Sequence, residues 1–310
     1  MVSAATDLAG VMVALATPAD ETGEVDAAGT ERLVKRVLDG GVSGISPVGS
    51  TGEGPKLTSA GRVSVTARVR ALVPASLPVV PGVPANHLTE ALSELDALAR
   101  AGADAALVSP PSYYPLPDEA VRSLYEGLAD RSPLPLLLYN IPSFTKVRIA
   151  PEVAAALAGH PNVIGMKDSS RDLEYQQQVI QAAAGGGFRV FTGTDTLLVA
   201  SLVLGAAGAI VGSANLVPEL SVGIYRAFTS GDTETSRRLQ EQLARVVAAC
   251  RRYSFPAGWK TALEIAGVCG AHPVPPGARL SGAQRAELAA ELAAALPGMA
   301  LPAAPAAGPR

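Results

Sequence analysis

The amino-acid sequence predicts a (β/α)8 TIM barrel followed by a C-terminal helical extension. Three observations carry this reading. Eight short apolar segments alternate with helix-like stretches up to about residue 217. These segments are apolar along their whole length, not at every second position, as in a parallel sheet buried on both faces. Beyond Pro218 no strand-like segment recurs, and helical stretches follow one another. A doubly wound open sheet is the runner-up, but no GxGxxG follows the first strand and no Walker lysine motif occurs.

The elements follow in order. Residues 10–18 read as a buried strand stopped by Pro18. Asp26 is a ready N-cap for a helix over 27–39, with Leu33, Val34, Val37 and Leu38 on one face and Gly40-Gly41 ending it. A strand over 44–48 precedes the glycine-rich loop 49–54, and a helix spans 59–72. Strands at 78–82 and 105–109 flank a helix over 89–101. Asp118 is expected to cap a helix that runs to Ala129. A strand over 134–140 leads to a helix opened by Pro151, whose missing N–H is harmless in a first turn. Strands ending at Lys167, over 188–192 and over 208–211, with helices over 173–183 and 196–204, complete the alternation. Four helices then fill 218–229, 232–252, 260–267 and 281–296. The division expected is a barrel with the active site over 1–217, a helical region over 218–298 and a low-complexity, disordered tail over 299–310.

Composition narrows the function. The chain is 48% hydrophobic and 17% charged, with a net charge of -3 and no basic run. That leaves no electrostatic case for nucleic acid or an anionic membrane. Cys250 and Cys269 have no metal-ligand spacing and make no disulfide framework. His87, His160 and His272 are widely separated. With no signal-peptide pattern and no long apolar run, a cytoplasmic protein independent of metals and cofactors is expected.

One residue stands out against this background. Lysines occur only at positions 35, 56, 146, 167 and 260, and Lys167 ends an apolar strand, Val163-Ile164-Gly165-Met166. An ammonium in such a place must be paired or desolvated, and desolvation favours the neutral amine. A neutral amine attacks a ketone and forms a Schiff base. Snorkelling to water is the plain alternative.

The other unusual residues fall where a barrel keeps its chemistry, after the C-terminal ends of strands. Gly49-Ser50-Thr51-Gly52-Glu53 follows the second strand, and Tyr113-Tyr114 the fourth. Tyr139-Asn140-Ile141-Pro142 ends the fifth strand. Gly193-Thr194-Asp195 follows the seventh, and Gly212-Ser213-Ala214-Asn215 the eighth. Singly these read as an ordinary turn, a core aromatic or a helix cap. Their convergence on one rim around one lysine is the argument. Lys167 would form an imine with a 2-keto acid, and that imine is an electron sink for making or breaking a C–C bond. Ser50, Thr51 and loop N–H groups would hold the carboxylate. Tyr139 would move protons, with Ser50 and Tyr114 as a relay.

With these motifs in their order, the chain resembles the dihydrodipicolinate synthase / N-acetylneuraminate lyase family of class I, pyruvate-type aldolases. The matching residues also include Gly165-Met166-Lys167-Asp168 and Gly208-Ala209-Ile210. The resemblance implies that Lys167 is the Schiff-base lysine, Tyr139 the acid/base group, and Ser50 and Thr51 the carboxylate site. It implies substrate contacts from Gly49, Gly193, Asp195 and Ile210. Tyr114 would enter a neighbouring subunit's site, in a homotetramer or dimer of dimers. Phe144 stands where the lysine-pathway synthase has an arginine for the aldehyde's carboxylate, and Lys146 is a point charge two residues away. The set of groups that binds a sialic-acid chain is incomplete at Thr196 and Gly212. The expectation is therefore an aldolase acting on a hydroxylated 2-keto acid, cleaving it to pyruvate plus an aldehyde or running the reverse. The wording is nearest to the 4-hydroxy-2-oxoglutarate and 2-keto-3-deoxy sugar acid aldolases. Alternatives are a Schiff-base dehydratase of a deoxy-keto sugar acid, dihydrodipicolinate synthase proper, and a non-catalytic keto-acid-binding barrel.

Overall fold

A computed structural model of the chain describes residues 8–185 and 187–297. The expected tail over 299–310 lies outside these residues. Eight parallel strands alternate with helices: β1 (Gly10–Ala14), β2 (Gly44–Ser46), β3 (Gly82–Pro84), β4 (Ala106–Ser109), β5 (Leu136–Asn140), β6 (Val163–Asp168), β7 (Arg189–Thr192) and β8 (Gly208–Val211). They pair in the order β2-β1-β8-β7-β6-β5-β4-β3. The two ends of that order meet where Ile45 bridges Val79, with the Val80 N–H donating to the Ile45 carbonyl at 2.8 Å. This is the (β/α)8 barrel.

Side-chain parity explains why continuous apolar strands were the right signal. Met12, Leu137, Tyr139 and Phe191 point inward to one cluster. Their neighbours Val11 and Val13, or Leu136 and Leu138, point outward against the helices. Both faces are buried, so both parities are apolar.

The helices of the alternation are α1 (Ala27–Asp39), α2 (Ser59–Leu72), α3 (Leu88–Arg100), α4 (Asp118–Ala129), α5 (Pro142–Thr145), α6 (Pro151–Ala158), α7 (Leu173–Ala182) and α8 (Leu198–Val203). Asp26 caps α1 through the Gly29 N–H. The extension consists of α9 (Pro218–Thr229), α10 (Thr233–Arg251), α11 (Ala257–Ile265) and α12 (Gly282–Ala295). Its Leu243, Val246, Leu263 and Leu288 share one apolar cluster with Val11, Leu33 and Val211. Each such side chain contributes roughly 1.5–3 kcal/mol on burial, so the extension is bonded to the barrel wall by packing. Among the described residues no helix is long and apolar enough to cross a membrane.

Several boundaries differ from expectation for physical reasons. β1 stops at Ala14, before Pro18, because the Asn215 side chain takes over as its partner: it accepts from the Ala16 N–H at 2.9 Å and donates to the Ala14 carbonyl at 2.8 Å. The third strand lies at Gly82–Pro84, after the expected 78–82. Pro78 and Pro81 lack the N–H that a regular ladder needs. Asp118 is the first residue of α4, and Pro117 occupies the cap position without a side-chain bond. The stretch expected as one helix over 196–204 divides into a 3₁₀ turn, Asp195–Leu197, and α8. α5 was not expected as a helix.

Candidate active site

The register between β5 and β6 pairs Tyr139 with Lys167 and Asn140 with Asp168. Parity then separates two tasks. Tyr139 and Lys167 point into the barrel mouth. Asn140 and Asp168 point outward and hold the strands together, the Asn140 amide donating to the Asp168 carboxylate at 2.8 Å. The Ile149 N–H binds the other end of Asn140, and the Ser170 N–H and hydroxyl both donate to Asp168. Burial pushes the Asp168 pKa up, while the bonds from Asn140 and Ser170 pull it down; burial outweighs them.

Lys167 is 5% exposed. Its Nζ lies 4.4 Å from the centroid of the Tyr139 ring, where the π face offsets part of the desolvation of a cation. Gly193 makes room for it. A Cβ at that position would stand 2.8 Å from Lys167 Cε and would also collide with Ser169 Oγ. The Tyr139 phenol and the Ser50 hydroxyl are 3.3 Å apart, within loose hydrogen-bond reach.

Ser50 and Thr51 are placed by a folded-back loop. A Cβ on Gly52 would come 2.7 Å from the Leu15 carbonyl, and one on Gly54 would collide with the Val48 carbonyl. Glu53 between them is left-handed, with φ 54°. Its carboxylate anchors the turn: it binds Lys260 Nζ at 2.6 Å and Lys56 Nζ at 2.7 Å, and accepts from the Val274 N–H. Lys260 is fully buried and also donates to the His272 carbonyl. Burial lowers the Lys260 pKa, opposed by Glu53.

Ser50, Thr51, Tyr139, Phe144, Lys167, Gly193, Asp195 and Ile210 all line one cleft of about 650 Å³, its open mouth included. Two expected residues do not. Gly49 lies in an adjoining crevice beside Gly82. Tyr114 is 70% exposed and packs edge-on against Tyr113 with ring centroids 4.8 Å apart, outside the cleft of its own chain. Asp195 does not cap a helix. Its Oδ1 accepts from the Ser213 N–H and its Oδ2 from Arg251, each at 2.9 Å.

Among the cleft residues that sequence reasoning missed are Arg171, Arg251, Phe255 and Trp259. Arg171 sits in the loop after β6 and was findable by the rule that such loops carry function. The other three reach in from α10, from α11 and from the segment between them, and no spacing in the sequence announces it. Among the described residues no group of three or more His, Cys, Asp or Glu is placed to hold a metal ion. Cys250 and Cys269 are both free and buried.

An amine, a phenol and two hydroxyls around one cleft can activate a carbonyl, move a proton and hold a carboxylate. Comparison with known proteins gives the family. The model of the Dihydrodipicolinate synthetase family matches residues 7–295. The chain belongs to this family. Dihydrodipicolinate synthetase family members are lyases of the class I aldolase type, and so is this one. It is 36% identical to an uncharacterized DapA-like lyase of Halobacterium salinarum over 286 residues, which is 92% of this chain and 93% of the relative. It is also 36% identical to the 4-hydroxy-tetrahydrodipicolinate synthase of Methanopyrus kandleri, over 86% of this chain and 89% of the relative. Among solved structures, it matches a prophage protein of the dihydrodipicolinic acid synthase family from E. coli K12 in complex with pyruvate. The TM-score is 0.89 at 27% identity, over 93% of this chain and 98% of that one. A monomeric dihydrodipicolinate synthase variant matches equally well, with a TM-score of 0.89.

Proposed function

We propose that this lyase joins pyruvate and an aldehyde, or cleaves the resulting hydroxylated 2-keto acid, through a Schiff base on Lys167. The observation that carries the reading is the buried Lys167 amine over the Tyr139 ring, with the Tyr139 phenol 3.3 Å from Ser50. Ser50 and Thr51 hold the keto-acid carboxylate. Lys167 Nζ attacks the keto carbon to give a carbinolamine. Tyr139 protonates its hydroxyl, which leaves as water, and an iminium remains. The iminium withdraws electrons, a proton leaves the neighbouring carbon, and the enamine attacks the aldehyde carbon. Hydrolysis of the new iminium frees Lys167. Gly193 keeps the space in which the lysine swings, and Ile210 forms the apolar floor under the reacting carbons. Gly52 and Gly54, with no room for a Cβ, give the carboxylate loop its shape.

A second reading is 4-hydroxy-tetrahydrodipicolinate synthase proper, which the names of several relatives favour. Phe144, an apolar side chain half exposed in the cleft, favours the aldolase reading. A dehydratase shares the same imine and differs only in expelling water with the carbon skeleton intact, so a product assay separates it. The exposed Tyr113-Tyr114 pair supports a dimer of dimers or tetramer in which Tyr114 completes a partner's cleft. The cysteine usage supports a cytoplasmic location. The deciding experiment is intact-protein mass after pyruvate and borohydride. We expect a reduced pyruvyl adduct that maps to Lys167 and vanishes in Lys167→Ala. Turnover of keto acid by Lys167→Ala at the parental rate would overturn the mechanism.

A further inference from the structure

Residues 251–260 run from the end of α10 into α11, and their side chains reach three separate loops of the barrel. Arg251 donates to Asp195 at 2.9 Å, in the loop after β7. Phe255 lies against Phe144 of α5, after β5, with ring centroids 5.7 Å apart. Lys260 donates to Glu53 at 2.6 Å, in the loop after β2. The two ion pairs grip loops with different contents. The Glu53 N–H donates to the Ser50 carbonyl at 3.1 Å, so Lys260 acts through Glu53 on the turn that carries the Ser50 and Thr51 hydroxyls. Asp195 is two residues from Gly193, whose missing Cβ leaves space for Lys167 Cε. Gln240 of α10 fastens the same loop, donating to the Asp195 carbonyl at 3.0 Å. Burial differs as well. Glu53 and Lys260 are both buried and do not line the cleft, and removing either strands the other's charge in the interior. Arg251 and Asp195 line the cleft itself.

We infer that residues 251–260 are a positioning segment with two separate tasks: Lys260, through Glu53, sets the affinity for the keto-acid carboxylate, and Arg251, through Asp195, sets the rate at which Lys167 attacks. Each side chain works through a loop and not on the reacting atoms. Shifting the Ser50–Thr51 turn weakens bonds that the bound keto acid makes before and during attack alike, so it moves binding. Shifting the Gly193 loop changes the space in which the amine approaches the keto carbon, so it moves the attack. The inference rests on the Schiff-base reading, because both quantities are read from imine formation on Lys167.

The test mixes the full chain with rising concentrations of pyruvate, traps the imine with borohydride at set times, and reads the adduct by intact mass. Each variant then yields a half-saturating pyruvate concentration and a limiting rate. Lys260→Met should raise the half-saturating concentration about ten- to hundredfold, the range for a lost charged hydrogen bond, and leave the limiting rate at the parental value. If Lys260→Met does not fold, Glu53→Gln carries the same expectation, since it keeps the shape of the side chain and weakens its bonds to lysine. Arg251→Met should do the reverse, lowering the limiting rate about ten- to hundredfold with half-saturation unchanged. Arg251→Lys, which keeps a cation near Asp195, should recover part of that rate. The Lys260→Met, Arg251→Met double variant should show both effects at full size, as for sites that act independently. A purely structural role would move both constants together or neither, and either result overturns the inference. A rise in half-saturation with Arg251→Met would also overturn it, because Arg251 would then be holding the keto acid directly. If the parental chain forms no adduct, the Schiff-base reading falls first and takes this inference with it.

Discussion

Gly193→Ala is the sharpest perturbation of the cleft, because it adds one carbon beside Lys167 and removes nothing. The new Cβ would lie 2.8 Å from Lys167 Cε, whereas ordinary contact begins at 3.4 Å. The lysine side chain must therefore retreat by about 0.6 Å, since repulsion rises steeply inside contact distance. A misplacement of about 1 Å can cost on the order of a hundredfold in rate, so a loss of roughly ten- to hundredfold in Schiff-base formation is expected. Overpacking costs about 1–3 kcal/mol, which lowers Tm by roughly 2–6 °C in a chain of this size. The assay is the rate at which the borohydride-reduced pyruvyl adduct accumulates by intact mass, with thermal unfolding followed in parallel. Ser169→Gly in the same chain relieves the other collision but leaves the lysine crowded, so it should not restore the rate. Adduct formation at the parental rate, or full rescue by Ser169→Gly, would refute the idea that Gly193 exists to seat Lys167.

Three further outcomes follow from the same geometry. Tyr139→Phe should lower kcat by about 10²–10⁴ while pyruvate still binds, as for loss of an acid/base group, and steady-state kinetics check this. Lys260→Met should cost about 3–5 kcal/mol, because it leaves the buried Glu53 carboxylate short of a partner; denaturant unfolding reads the loss, and KM for pyruvate should rise with it. Burial lifts Asp168 above its ordinary 3.8, so the folded chain keeps a proton that the unfolded chain has lost. Its contribution to stability is full below 3.8 and declines as pH climbs through the raised value, and Asp168→Asn should flatten that decline in a pH series of unfolding curves.

The sequence carried the fold through burial. Strands such as 10–14 and 136–140 are buried on both faces, so composition alone marks them, and their alternation with capped helices fixes the barrel. Lys167 was legible for the same reason, as a charge at the end of a segment that otherwise excludes water. What stayed hidden depends on long-range contact. Lys260 and Glu53 are 207 residues apart, and each looks like an ordinary helix or loop charge. Arg251 lies at the end of a polar helix with nothing in its spacing to show that it turns toward Asp195. The third strand was misplaced because its prolines matter through absent N–H groups, which an apolar count does not register.

The parity that separates Tyr139 and Lys167 from Asn140 and Asp168 also limits how this chain can change in length. Deleting or inserting a single residue within β6 would turn the amine to the helix side and a carboxylate to the cleft, and the same change within β5 would turn the phenol out and the Asn140 amide in; either breaks the clamp that joins the two strands. A change of two residues would keep the facing but slide the amine and the phenol about 6.6 Å apart along the strands, past each other's reach. Both strands are therefore closed to length variation, and drift in chain length is left to the segment between them, which holds α5 and α6.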